Sequence, residues 1–125
     1  ITHKNSGQQL MLVHKDNNWK NLDDLRGKRV GTAAAKALMT RMGKDRIKDA
    51  GLTGDDAPSY TAFTSHNAAV EAILTGKVDA VITSNNVANR MIKQGKPIKI
   101  FDKGIIYPNM PLLVGIMISF NDELM

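Results

Sequence analysis

Residues 65–84 read SHNAAVEAILTGKVDAVITS, and this stretch predicts a helix, a tight turn and a strand in direct succession. The polar residues Thr64–Asn67 offer side-chain oxygens of the kind that cap a helix start. The helix is predicted over Asn67–Thr75, and Gly76 ends it. The apolar run Val78–Thr83 then favours a strand. A helix followed closely by a buried strand is the repeating unit of an α/β sheet.

The same alternation extends along the rest of the chain. Strands are predicted at Gln9–His14, Lys28–Thr32, Ser59–Phe63, Val78–Thr83, Pro97–Phe101 and Leu112–Ile118. Helical patterns occupy Asn21–Gly27 (one short turn), Ala35–Ala50, Asn67–Thr75 and Val87–Gln94. Gly43 is expected to weaken the helix that contains it, and to bend it or end it early. We therefore predict an α/β fold, a three-layer α/β/α lobe with a mainly parallel sheet, whose first and last strands pair antiparallel at an edge.

The composition is typical of one globular domain. The chain has 125 residues, of which 42% are hydrophobic and none is Cys, so no disulfide and no thiolate metal site is expected. No apolar run approaches the roughly 20 residues of a membrane-spanning helix. The formal net charge is +5, but the basic residues are scattered and do not alternate with aromatic ones. We therefore expect that this domain contacts no nucleic acid.

Three loops share one form, in which a strand ends, small or polar residues follow and a helix starts. In an open parallel sheet, ligands bind beyond the carboxyl ends of the strands, and helix starts there offer unpaired backbone N–H groups to an anion. The loops therefore predict a site for a small polar, anionic solute; the alternative is that their Ser, Thr and Asn side chains only cap helices. The loops are Thr32-Ala33-Ala34-Ala35-Lys36, Thr64-Ser65-His66-Asn67 and Thr83-Ser84-Asn85-Asn86. The candidate ligand-binding residues are Thr32, Ala33, Ala34, Lys36, Thr64, Ser65, His66, Ser84 and Asn85.

His66 is the residue that points most directly to ligand binding. At a helix start its ring can donate a hydrogen bond to an oxyanion, and an ordinary histidine pKa of about 6.5 makes such a contact pH-dependent. The alternative for His66 is a capping or surface role. Lys36 is expected to reach either an anion or solvent. Asp79 lies at the start of its predicted strand, away from the three loops, and is expected to hold a turn.

No enzyme motif accompanies this site. The sequence contains no phosphate-binding loop of the form GxxxxGK[ST], and GxGxxG, GxSxG and HExxH are absent. The adjacent Ser65 and His66 do not make a catalytic triad, which needs side chains that converge in space with an orienting acid. We therefore expect a protein that is not an enzyme, with no catalytic residue, no metal and no cofactor.

Two stretches of this sequence resemble type II periplasmic solute-binding proteins. Residues 10–31, LMLVHKDNNWKNLDDLRGKRVG, resemble the hinge-crossing strand, short helix and first inner strand of that family. Residues 65–84 resemble its later helix, Gly turn and Val-Asp-Ala strand, and the His-Asn-Ala-Ala form looks most like the phosphate, phosphite and phosphonate branch. The resemblance runs from Leu10 to Ile118.

The resemblance implies the second lobe of a two-lobe protein, together with its crossover strands. In the phosphonate branch, a Ser/Thr-rich turn after the first inner strand and a histidine at the next helix start hold the anion. By position these are residues 32–36 and His66, with Ser84 and Asn85 in the third loop. Here the first turn is rich in alanine, so most of its hydroxyl donors are missing, and a different ligand is an open alternative.

The two ends of the sequence also predict a part of a longer protein. The chain begins at Ile1, and the polar and acidic residues after Ile118 are typical of a helix start. We expect residues 1–125 to be one α/β lobe of a monomeric, periplasmic or otherwise extracytoplasmic protein, which closes on its solute and meets the membrane permease of an ABC importer. The alternatives are the ligand-sensing domain of a receptor with a fused signalling domain, and the effector domain of a LysR-type regulator.

Overall fold

The central sheet is mixed. The computed structural model describes residues 6–34 and 37–108, and within these ranges five strands form one sheet in the order β3-β2-β4-β1-β5. The strands are β1 (Ser6–His14), β2 (Arg29–Thr32), β3 (Ser59–Ala62), β4 (Ala80–Ser84) and β5 (Ile98–Pro108). The predicted strand Leu112–Ile118 and the residues Ala35 and Lys36 lie outside the described ranges.

Every strand of this sheet except β1 points in the same direction. β2 pairs in parallel with β3 and β4, whereas β1 pairs antiparallel with both β4 and β5. The predicted α/β lobe is therefore confirmed. β1 is antiparallel as expected, but it lies inside the sheet between β4 and β5 and not at an edge. The physical reason is its continuous apolar run Leu10–Val13, which is buried on both faces of the sheet and so takes an interior position.

Helices cover both faces of the sheet. α1 (Leu38–Asp49) lies on one face, and α2 (His66–Leu74) and α3 (Asn85–Lys93) lie on the other. Two short 3₁₀ helices, Leu22–Leu25 and Gly54–Asp56, complete the described helical segments. None of the helices within residues 6–34 and 37–108 has the length and apolar character that crossing a membrane requires.

Strand β1 divides its side chains between two cores. Leu10 and Leu12 pack in the core beneath α2 and α3, whereas Met11 and Val13 pack in the core beneath α1. Successive side chains of a strand point to opposite faces, so one apolar strand serves both layers. The chain therefore has two hydrophobic cores, one on each face of the sheet.

Gly43 lies where α1 crosses the sheet. The expectation that Gly43 ends α1 early is wrong, because the helix continues through it to Asp49. Gly43 is buried, and a Cβ at this position would overlap the side chain of Ile82 on β4. The glycine is therefore a packing residue, which allows the helix backbone to approach the sheet closely.

Two features at the amino ends of the strands fix the connections there. Gly76 and Gly95 follow α2 and α3 with φ angles of 75° and 88°, which glycine adopts without strain, as the predicted helix stops require. Asp79 accepts hydrogen bonds from the backbone N–H of Arg29 at 2.9 Å and from its guanidinium at 3.0 and 3.1 Å. Asp79 thus ties the start of β2 to the residue before β4, whereas the sequence predicted that it holds a turn.

Candidate functional site

The three predicted loops lie at one edge of the sheet. They follow β2, β3 and β4, which are parallel neighbours, so their carboxyl ends meet on the same side. Because β1 runs in the opposite direction, its first residues reach this edge too, and Gln9 lies opposite Ser84 in the register. The edge therefore brings together the starts of α2 and α3, the residues before α1 and the beginning of β1.

The start of α2 is capped by Ser65. Its Oγ accepts a hydrogen bond from the backbone N–H of Ala68 at 3.1 Å, which satisfies one of the N–H groups that a helix start leaves unpaired. Thr64 and Ser65 are both exposed. A capping hydroxyl accepts through its oxygen and keeps its own hydrogen, so Ser65 can cap the helix and donate to a ligand at the same time.

His66 is anchored to the sheet by its ring. Its Nδ1 lies 3.0 Å from the hydroxyl oxygen of Thr83, which is fully buried near the end of β4. Partial burial lowers the pKa of His66 below its ordinary value of 6.5, because the charged ring is poorly solvated there. When the Thr83 hydroxyl donates to Nδ1, the proton of the neutral ring is on Nε2, which is then a donor.

The start of α3 is joined to β1. Ser84 caps α3 by accepting from the backbone N–H of Val87 at 3.4 Å. The next residue, Asn85, accepts from the backbone N–H of Gln8 at 3.1 Å through its side-chain oxygen. This contact fixes the amide of Asn85 at the edge where the loops meet.

The first loop contributes less side-chain chemistry than the other two. Thr32 is buried and its hydroxyl donates to the carbonyl of Ala33 at 2.7 Å, so this side chain is already used inside the protein. Ala33 is buried and Ala34 is exposed. Lys36 lies outside the described residues. α1 begins after Ala37, which gives it no side-chain cap.

The described parts of the three loops carry no acidic side chain. A positive group stands nearby, since the guanidinium of Arg90 on α3 donates to the side-chain oxygen of Asn67 on α2. Helix starts themselves carry a partial positive charge. The electrostatics of this edge therefore favour an anion. Within residues 6–34 and 37–108, no group of three His, Cys, Asp or Glu side chains is arranged to hold a metal ion.

Three contacts at this edge were not predicted from the sequence, although Thr83 itself belongs to the predicted third loop. Thr83 is the partner of His66, Gln8 holds Asn85, and Arg90 lies beside the start of α2. The first could have been suggested by a hydroxyl residue at the end of an otherwise apolar strand. The other two depend on the pairing of β1 with β4 and on the packing of α3 beside α2, which local sequence does not encode.

Comparison with known proteins identifies the family of the chain. Residues 3–119 match the family described as the periplasmic substrate-binding protein of phosphonate ABC transporters. No curated protein matches the chain.

Solved structures share the fold of the described lobe. Substrate-binding domain 2 of GlnP from Lactococcus lactis has a TM-score of 0.65 at 18% identity, over 82% of this chain and 41% of that one. A Xanthomonas citri protein solved with ATP has a TM-score of 0.72 at 14% identity, over 83% and 44%. The arginine-, lysine- and histidine-binding protein ArtJ of Geobacillus stearothermophilus has a TM-score of 0.60 at 28% identity, over 82% and 46%.

In each of these three structures, the chain covers less than half of the other protein. The match to the family, in contrast, extends over nearly all of the present sequence. The chain therefore belongs to the family of periplasmic substrate-binding proteins of phosphonate ABC transporters.

Proposed function

We propose that this chain is the ligand-binding lobe of an extracytoplasmic solute-binding protein, which binds a small phosphate- or phosphonate-like anion at the edge formed by the three loops. The observation that carries the proposal is the meeting of the starts of α2 and α3 with the residues before α1 at one edge of the sheet, in a chain of this family. The described parts of the three loops there offer hydrogen-bond donors and the partial positive charge of helix starts, and they carry no acidic side chain.

Four kinds of donor can hold the anion. The hydroxyl groups of Ser65 and Ser84 and the side-chain amide of Asn85 lie at the helix starts, and Nε2 of His66 adds a ring donor. In the alanine-rich first loop, backbone N–H groups would take the place of hydroxyl donors. Each hydrogen bond to a charged oxyanion contributes about 1.5–3 kcal/mol, so micromolar affinity also needs the contacts that the second lobe supplies, because association itself costs free energy.

The whole protein would work by closing two lobes around the solute. One lobe supplies half of the ligand contacts, and the hinge closes when the second lobe supplies the rest. We infer that the closed form is recognised by the membrane permease of an ABC importer, as expected for the family, and that binding involves no catalysis.

The proposal is tested by calorimetric titration of the full-length protein with phosphate, phosphite and methylphosphonate. We expect micromolar or tighter binding of at least one of these anions, and a loss of at least about tenfold in affinity in His66→Ala, as one lost charge-assisted hydrogen bond implies. His14→Ala changes the other described histidine, which lies at the opposite end of β1, and serves as the matched control. Binding that is unchanged in His66→Ala contradicts the assigned site.

A second candidate ligand is an amino acid. It is supported by the alanine-rich first loop, which has few hydroxyl donors for a phosphonate, and by the 28% identity to a protein that binds arginine, lysine and histidine. A carboxylate can occupy the same helix starts, since it needs fewer donors than a phosphonate. Binding of an amino acid in the same titration, with none of the three anions bound, would favour this candidate.

A further inference from the structure

The acceptor oxygens of the side chains in the second and third loops are already used inside the protein. The Oγ atoms of Ser65 and Ser84 accept from backbone N–H groups of their own helices, at 3.1 and 3.4 Å. The side-chain oxygen of Asn85 accepts from the backbone N–H of Gln8 at 3.1 Å. Each of these oxygens holds one donor of the protein, so a ligand that brings a donor of its own has to share it.

The tautomer of His66 is fixed by Thr83. The Thr83 hydroxyl is fully buried, and Nδ1 of His66, at 3.0 Å, is its only hydrogen-bond partner within residues 6–34 and 37–108. A buried hydroxyl hydrogen needs an acceptor, and Nδ1 is the atom that can provide one. The hydroxyl therefore donates to Nδ1, and the proton of the neutral ring lies on Nε2, which makes Nε2 a donor.

The backbone at this edge also presents donors to a ligand. A helix start leaves its first N–H groups unpaired, whereas its carbonyl groups accept from the following turn. The carbonyl of Ser65 accepts from the N–H of Ala69 at 3.1 Å, and that of Thr32 accepts from the N–H of Phe63 at 2.8 Å. The carbonyl of Ala33 accepts from the Thr32 hydroxyl. Since the three loops contain no Asp or Glu, they offer a ligand mainly hydrogen-bond donors.

Small oxyanions of equal charge differ in whether they bring a hydrogen-bond donor. At pH 8.5, sulfate, phosphite and methylphosphonate are dianions whose oxygen atoms carry no hydrogen. Hydrogen phosphate is a dianion too, but one of its oxygens is a hydroxyl group, which is a donor. When a site encloses that hydroxyl without an acceptor, binding carries the cost of an unpaired buried donor.

We propose that the edge formed by the three loops selects oxyanions that carry no hydroxyl group, namely sulfate, phosphite and phosphonate dianions, over hydrogen phosphate. This inference rests on the proposed anion site and adds to it the property that the ligand needs, which is that all of its oxygens are acceptors. Thr83 is a positioning residue for this selection, because its hydroxyl keeps the proton of His66 on Nε2.

The experiment is a calorimetric titration of the full-length protein at pH 8.5 with sulfate, hydrogen phosphate, phosphite and methylphosphonate. Sulfate and hydrogen phosphate match in charge and size, so the ratio of their affinities reports on the hydroxyl group. We expect sulfate to bind at least about tenfold more tightly, as one unpaired donor implies. A smaller ratio overturns this inference, and binding of any probe then leaves the proposed anion site standing. If none of the four anions binds, both the inference and the proposed site fail.

Thr83→Val tests the part of His66 in this selection. Valine has nearly the same shape as threonine but no hydroxyl, so Nδ1 loses its donor and the ring proton can lie on either nitrogen. We expect the nitrogen-15 NMR shifts of the ring at pH 8.5, without ligand, to show only the Nε2–H form in the wild type and both forms in the variant. The preference for sulfate should fall at least about threefold in Thr83→Val, because Nε2 can then accept from the ligand hydroxyl.

Thr75→Val is the matched control, since Thr75 lies at the other end of α2. It should change neither the ring tautomer nor the preference for sulfate. A wild-type ring with its proton on Nδ1, or an unchanged preference in Thr83→Val, overturns the role assigned to Thr83. The tautomer is read without any ligand, so this result does not depend on the proposed anion site.

Discussion

The Nδ1 atom of His66 lies 3.0 Å from the hydroxyl oxygen of Thr83, and this contact ties the first residue of α2 to the buried end of β4. The ring is thereby oriented at the edge where the loops meet. Because burial lowers the pKa of His66, the neutral ring is the favoured form in the folded protein. The same residue therefore links the stability of the fold to the state of the candidate site.

The first prediction concerns the pH dependence of stability. Well above pH 6.5 His66 is neutral in both the folded and the unfolded protein, so its full contribution to the free energy of unfolding is present. As the pH falls below 6.5, the unfolded chain takes up a proton first, and the free energy of unfolding declines until the lowered pKa of the folded state has been passed. His66→Gln, which does not titrate, should reduce this decline.

Equilibrium urea unfolding between pH 7.5 and pH 5 measures this effect, in a range above the ordinary pKa values of Asp and Glu. An identical decline in the wild type and in His66→Gln would show that His66 does not titrate as the structure requires.

The second prediction separates the capping role of Ser65 from a role in ligand binding. Both Asp and Asn are good N-cap residues, so Ser65→Asp and Ser65→Asn should stay within about 0.5 kcal/mol of the wild type in stability. Only Asp adds a negative charge. Because like charges about 4 Å apart near a protein surface repel by several kcal/mol, Ser65→Asp should weaken anion binding at least tenfold.

Calorimetric titration of both variants with methylphosphonate, together with urea unfolding, checks this prediction. Equal affinity of the Asp and Asn variants for the anion would mean that Ser65 only caps α2.

The third prediction concerns Gly43. Alanine favours a helix over glycine by about 1 kcal/mol, but its methyl group would overlap Ile82. We expect the overlap to dominate, so Gly43→Ala should lower the free energy of unfolding by about 1–3 kcal/mol. Lys48→Ala, on the exposed side of the same helix, is the control and should change it little.

A double-mutant cycle tests the cause. If the methyl group overlaps Ile82, the combined variant Gly43→Ala, Ile82→Ala should cost less than the sum of the two single changes. If the two single changes in the free energy of unfolding add exactly in the double variant, the proposed overlap with Ile82 is contradicted.

The fourth prediction concerns the ion pair of Arg29 and Asp79. Arg29 lowers the pKa of Asp79 below its ordinary value of 3.8, through hydrogen bonds to the carboxylate. The stabilisation is therefore present above pH 3.8 and is lost as the pH falls through the lowered pKa. Asp79→Asn should lower the urea midpoint at pH 7 and reduce the loss of stability between pH 4 and pH 2. Asp55→Asn should resemble the wild type in both measurements.

Much of the fold is encoded in short-range patterns. The helix stops at Gly76 and Gly95 were predictable because only glycine readily adopts the positive φ angles found there. The caps at Ser65 and Ser84 were predictable because their hydroxyl groups precede helical patterns. The common edge of the three loops follows from the alternation of strands and helices.

The remaining features depend on contacts between distant parts of the chain. The interior position of β1 is set by its pairing with β4 and β5, and Gly43 acquires its role only when Ile82 lies beneath it. The sequence suggests that the Thr32 hydroxyl is available to a ligand in the loop 32–36. In the structure this hydroxyl donates instead to the carbonyl of Ala33. Local sequence does not contain these long-range partners.

The most direct test of the anion site is an NMR titration of the isotope-labelled full-length protein with methylphosphonate. We expect saturable shifts that are largest for the backbone amides at the starts of α2 and α3, including Ser65, His66, Ser84 and Asn85. Saturable binding that leaves these amides unperturbed, or no binding of methylphosphonate, phosphate or phosphite at all, would contradict this site.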